Sequence, residues 1–204
     1  PFVLGTMLAA VSGGGLRYVS GQVTVVPGQS WASPFALLTG LLTLLICAYL
    51  AAVYMTVETQ GALAEAFRLR GLQLWVAVAV LPAVLLPVVR SQVPLLWEHF
   101  VQRSSLLPMV LGILCVVLSG WALLRRSYQL ARIFAVAEVV VLLWGWAFAQ
   151  YPYIVYPDVT LQNAATKGPA LVTLLNVLPF GMIILVPSLW LLYAVFKGEK
   201  QHLE

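Results

Sequence analysis

Charge is what this chain has least of. Eleven Lys or Arg and seven Asp or Glu make only 9% of its 204 residues charged, whereas a soluble domain is near a quarter charged. A water-soluble globule is excluded. Histidine is almost as scarce: His99 and His202 are the only two, and both fall outside the long apolar runs. A haem held between two histidines inside a span is therefore excluded. The two cysteines, Cys47 and Cys115, each lie within an apolar run, which excludes a secreted disulfide scaffold and reads as small packing residues. Cys-x-x-Cys, His-Glu-x-x-His, phosphate-binding glycine loops and nucleophile elbows are all missing. The net charge of +4 is spread thinly along the chain, so a nucleic-acid surface is not expected.

What the chain has is apolar length. Uncharged runs cover 34–57, 72–89, 106–124, 133–150 and 170–196, each near the 20 or so residues that cross a bilayer. Residues 1–12 are apolar but cover only about 18 Å at helical rise, so they read as the tail of a sixth span. Backbone groups in lipid must be satisfied within their own segment, which makes every run helical. The expected fold is all-α, a polytopic transmembrane helix bundle with five full spans plus that tail, forming one domain over residues 1–204. The chain opens on Pro1 with no initiator Met and no basic leader, so it is expected to begin mid-protein. Loop Lys and Arg number seven on the side of the C-terminus and four on the other, which predicts a cytoplasmic C-terminus and external loops over residues 13–33 and 151–169. Pro82, Pro87, Pro179 and Pro187 fall inside spans. Proline is common in membrane helices, although bends at proline also mark transporter sites.

Few residues offer chemistry. Met7, Met55, Met109 and Met182 stand at no ligand-like spacing and read as packing. Glu138 is the one acid of seven inside an apolar run, about five residues or 7 Å past its boundary, where an acidic side chain is costly. It is a candidate station on a proton path, or else a hydrogen-bonded structural carboxyl. Helical spacing puts it on a face with Leu142 and Gly145, where a missing side chain admits a neighbouring helix. The stretch from Trp144 through Gly145, Gln150, Tyr151 and Pro152 to Tyr153 gathers aromatics where a span meets the interface. Asp158 follows two prolines, Pro152 and Pro157, and is expected to cap a short helical turn in an ordered external loop.

These residues resemble subunit II of cytochrome bd-type ubiquinol oxidases, in its C-terminal portion. The resemblance is carried by Ser33-Pro34-Phe35-Ala36-Leu37-Leu38, by Ala52-Val53-Tyr54 with Thr59-Gln60-Gly61-Ala62-Leu63, by the stretch Trp144 to Thr166, and by Pro187-Ser188-Leu189-Trp190-Leu191-Leu192-Tyr193. It implies an eight-span subunit of a bacterial plasma-membrane heterodimer whose reaction is quinol oxidation coupled to reduction of oxygen to water. It also implies that haem b and haem d, with the quinol site, belong to subunit I, and that this chain binds no cofactor or metal. Trp144, Gly145, Gln150, Tyr151, Pro152 and Asp158 are then candidates for a structural or partner-facing motif. A transmembrane subunit of a small-molecule transporter is the competing expectation, motivated by the prolines and the single intramembrane acid.

Overall fold

The structure, a computed structural model, describes residues 1–19, 22–26, 31–101, 103–165 and 169–198. A short helix α1 (Phe2–Ser12) leads into a hairpin of β1 (Leu16–Val19) and β2 (Gln22–Val25). Four helices carry the chain back and forth: α2 (Pro34–Glu58), α3 (Gly61–Gln92), α5 (Arg103–Leu124) and α6 (Tyr128–Gln150), with a short α4 (Pro94–Val101) between the second and third of them. A second small hairpin, β3 (Tyr153–Val155) and β4 (Val159–Thr160), precedes a single turn α7 (Leu161–Ala164) and the long α8 (Pro169–Gly198). Five of these helices, α2, α3, α5, α6 and α8, are long and apolar enough to cross a membrane. The protein is thus an all-α polytopic bundle.

Local chemistry sets the helix ends. Ser33 caps α2 by accepting from the Ala36 N–H at 3.2 Å, and Pro34 occupies the first helical position, where its missing N–H costs nothing. Gly61 begins α3 at φ +64°, a conformation that a side chain would resist. The apolar run from Leu72 proves to be only the second part of α3, because Glu65, Arg68 and Arg70 extend the helix beyond it. Within α2, the Thr39 and Thr43 hydroxyls donate to the carbonyls four residues back, at 2.8 and 2.9 Å, so neither is left dry and unpaired.

Two compact units divide the chain, Pro1–Leu161 and Gln162–Glu204. In the first, α2 is the central element, and two clusters fill the bundle. Tyr49, Val53, Val78, Leu123, Ala131 and Ala135 lie in one; Ala9, Phe35, Ala36, Val89, Val93 and Ala149 lie in the other. Without a hydrophobic drive between helices in lipid, close approach depends on small residues. α1 meets α2 at Gly5 and Gly40, and a side chain at Gly40 would come within 2.8 Å of the Phe2 carbonyl. α5 meets α3 at Gly120, where an added Cβ would run into the Trp75 indole. In the second unit, Leu171–Val195 of α8 has no buried residue, and its Leu, Ile, Val and Phe side chains are exposed.

Candidate functional site

The acid at depth is well defined. α6 buries a stripe of Ala131, Ala135 and Glu138, spaced four and three residues apart, and Glu138 is only 4% exposed. The stripe does not continue as expected: Leu142 is exposed to the outside of the bundle. Gly145 makes contact again, with Pro108 of α5 lying 3.4 Å from where its Cβ would be. Trp144 and Leu142 face outward, while Ala149 and Gln150 at the end of the helix are buried.

Around Glu138 stand hydroxyls, not charges. Ser119 of α5, fully buried, lies beside both Glu138 and the phenol of Tyr49 from α2. The Ser119 hydroxyl donates to the Val116 carbonyl at 2.9 Å, and the Trp75 Nε1–H from α3 donates to the same oxygen at 2.7 Å. Three helices other than α6 therefore converge on one polar node. The Glu138 Oε2 and the Tyr49 hydroxyl, both buried, have no hydrogen-bond partner among the described residues. No described Lys or Arg forms a salt bridge with Glu138. An unpaired acid in such a place is a cost of about 3 kcal/mol or more, which makes the site worth explaining. Tyr49 and Ser119 were not singled out from sequence, since a tyrosine and a serine in apolar runs carry no local signal.

A second polar region closes the opposite end of the bundle. Asp158 accepts from Arg17 Nε at 2.9 Å and from the Tyr18 N–H at 2.8 Å, joining the turn between β3 and β4 to the first hairpin. It does not cap α7, which begins three residues later at Leu161. A cation some 140 positions away captured it instead. The Arg17 bond, and after it the Tyr18 N–H, hold the Asp158 carboxyl below the usual carboxylate range. The Tyr156 N–H donates to the Val11 carbonyl at 3.2 Å, tying the same loop to α1. Burial, and then the neighbouring Tyr153, push the Tyr156 phenol upward.

The aromatic stretch divides by face. Trp144, Phe148 and Tyr151 are exposed, and the first two stack at 5.9 Å between ring centres. Trp146 points inward and its Nε1–H donates to the Ser12 hydroxyl at 3.1 Å. Gln150 is buried with Nε2 unpartnered, and the Tyr151-Pro152 bond that follows is cis. At the other end of the bundle an open cavity of about 710 Å³ lies between the α2–α3 and α5–α6 turns, lined by Thr59, Gln60, Glu65, Arg126 and Tyr128. Glu65 there pairs with Arg68 at 2.6 Å and with Arg126 at 3.5 Å.

Of the two histidines, His99 falls on α4 with its side chain outside the described residues, and His202 lies outside them altogether, as do Thr166, Lys167 and Lys200. Among the described residues no three His, Cys, Asp or Glu side chains gather as a metal site would require.

No curated protein matches this chain. Among solved structures it is similar to a chain of the bd oxidase from Geobacillus thermodenitrificans, with a TM-score of 0.75 and 24% identity, covering 96% of this chain and 60% of that one. At that identity the likeness speaks for the fold, and this chain spans about 60% of its neighbour's length. A family model described as cytochrome bd terminal oxidase subunit II matches residues 1–196, nearly the whole length over which the spans, the Glu138 node and the Asp158 cap are built. This chain belongs to the cytochrome bd terminal oxidase subunit II family.

Proposed function

We propose that this multi-pass chain acts as the second subunit of a bacterial plasma-membrane oxidase that oxidises quinol, ubiquinol among the possible donors, and reduces oxygen to water. The family match over residues 1–196 carries this reading. We further propose that residues 1–204 are one transmembrane domain, the C-terminal part of an eight-span subunit, with the C-terminus cytoplasmic. The excess of Lys and Arg on the side of the α2–α3 and α5–α6 turns supports that orientation.

The spans of this chain offer haem no histidine ligand. α2, α3, α5, α6 and α8 contain no histidine, and haem iron is held most often by that residue. The family resemblance implies haem b and haem d on subunit I as partner, where they would supply the electron transfer, and spans without histidine agree with that assignment. This chain's own contribution is a rigid, lipid-facing bundle with the ordered loop through Trp144, Gly145, Gln150, Tyr151, Pro152 and Asp158 as its partner-facing end. Reducing oxygen to water also consumes protons, which must cross apolar protein, and Glu138 is the acid in this chain placed to hold one.

The test is made on the complex purified through this chain. Haem d absorption with quinol-dependent oxygen uptake, both lost when this chain is deleted, is the expected result. Substrate flux across vesicles by a haem-free assembly would replace the oxidase with a transporter.

A further inference from the structure

The polar node at the middle of the bundle can be analysed atom by atom. A carbonyl only accepts, so the 2.9 Å bond between Ser119 and the Val116 oxygen must use the single Ser119 O–H. The Trp75 Nε1–H on the same carbonyl holds that turn of α5 in place. Ser119 Oγ is then left with lone pairs alone to offer the two groups beside it, the Tyr49 phenol and the Glu138 carboxyl. An ionised carboxylate has only lone pairs itself and would face Ser119 with nothing to share. No salt-bridge partner among the described residues offsets a charge there. The other titratable neighbour is the Cys115 thiol, one turn before Ser119 on α5. A carboxylic acid does have an O–H, and it fits that acceptor.

Two buried polar atoms remain without partners, the Glu138 Oε2 and the Tyr49 hydroxyl. A buried water is held where several such groups converge, and a water placed here would receive the phenol O–H and donate to the carboxyl. We propose that Glu138, Ser119 and Tyr49 form an intramembrane proton-holding site in which Glu138 stands as the carboxylic acid and a water completes the node. Ser119 and Tyr49 are positioning residues. In one cycle the Glu138 O–H bond breaks and its proton passes to a water on one side, which becomes hydronium, and the carboxylate then takes a proton from a hydronium arriving on the other side, which becomes water. One proton enters, one leaves, and no electron moves. This rests on the oxidase reading only for the use made of the proton.

The experiment is infrared difference spectroscopy of the purified complex, between oxidised and reduced states and between acid and alkaline pH, in H₂O and D₂O. A carboxylic-acid C=O band that shifts in D₂O, vanishes in Glu138→Gln and moves in Ser119→Ala and Tyr49→Phe is the expected result. Absence of any Glu138-dependent acid band overturns the proposal, as does a band indifferent to both hydroxyl substitutions or to D₂O. Should Glu138→Gln fail to assemble, the shifts in the two hydroxyl variants decide. Oxygen uptake is measured on the same samples: the band without quinol-driven uptake in the parent complex would reject the oxidase reading and leave the site standing.

Discussion

Glu138 and Asp158 are both carboxylates, and the chain treats them oppositely. Asp158, in the loops beyond the spans, is met by a guanidinium and a backbone N–H. Glu138, deep in α6, is met by a serine whose own proton is spent elsewhere and by a phenol left without a partner. At an interface, water lowers the cost of bringing a cation in, and the ion pair ties two loops together. At depth a cation would need desolvating as well, and the return from pairing is often cancelled by that cost. A buried acid surrounded by hydroxyls is thus poorly explained as a device for stability, whereas the Asp158 pair ties two loops together.

The strongest way to break this comparison is to disturb the frame that holds the buried node. Gly120→Val would drive a side chain into the Trp75 indole and displace the turn bearing Ser119. Overpacking of this kind costs about 1 to 3 kcal/mol, and a marked drop in the thermal midpoint and in the yield of assembled complex is expected.

Glu138→Gln leaves size and shape in place but removes the exchangeable proton. Turnover per haem is expected to fall roughly tenfold, about 1.4 kcal/mol in barrier, while haem content and thermal midpoint stay near those of the parent. Steady oxygen-uptake assays normalised to haem check this, and unchanged turnover would make Glu138 structural.

Trp146→Phe removes the Nε1–H that reaches Ser12. Loss of one such bond is worth about 1 kcal/mol, so a small fall in midpoint is expected. Trp144→Phe, on the outward face, should show none, which makes the pair a direct reading of face.

The smallest effect belongs to the loop acid. Arg17 and the Tyr18 N–H hold the Asp158 carboxyl below its ordinary range, so its stabilisation is complete above the ordinary carboxylate range and is lost as pH falls through the depressed value. Asp158→Asn is expected to lower the midpoint slightly at neutral pH, with the gap closing in acid and shrinking at high salt. Melting curves of both forms across pH check it.

The apolar runs announced α2, α3, α5, α6 and α8 because lipid leaves a helix as the one way to satisfy their backbones. Other features were not legible locally. The β1–β2 hairpin lies in a loop that shows no spanning signal, and α3 extends through Glu65 and Arg70 because charges at a helix end do not stop a helix outside lipid. The Glu138 face was anticipated to run through Leu142, which instead turns outward. Both faces of a membrane helix are apolar, so periodicity distinguishes protein from lipid only weakly.

The sequence by itself determined that the chain crosses a membrane as helices, that its spans hold no histidine, and that Glu138 is the single acid at depth. These follow from composition and run length, which are local and additive. Only the tertiary structure decided that Ser119 from α5 and Tyr49 from α2 surround that acid, that Trp75 and Gly120 lock the turn beneath it, and that Arg17 reaches Asp158. Each of those joins residues on different segments, and the pairing is set by which small side chains let helices approach rather than by any neighbour along the chain.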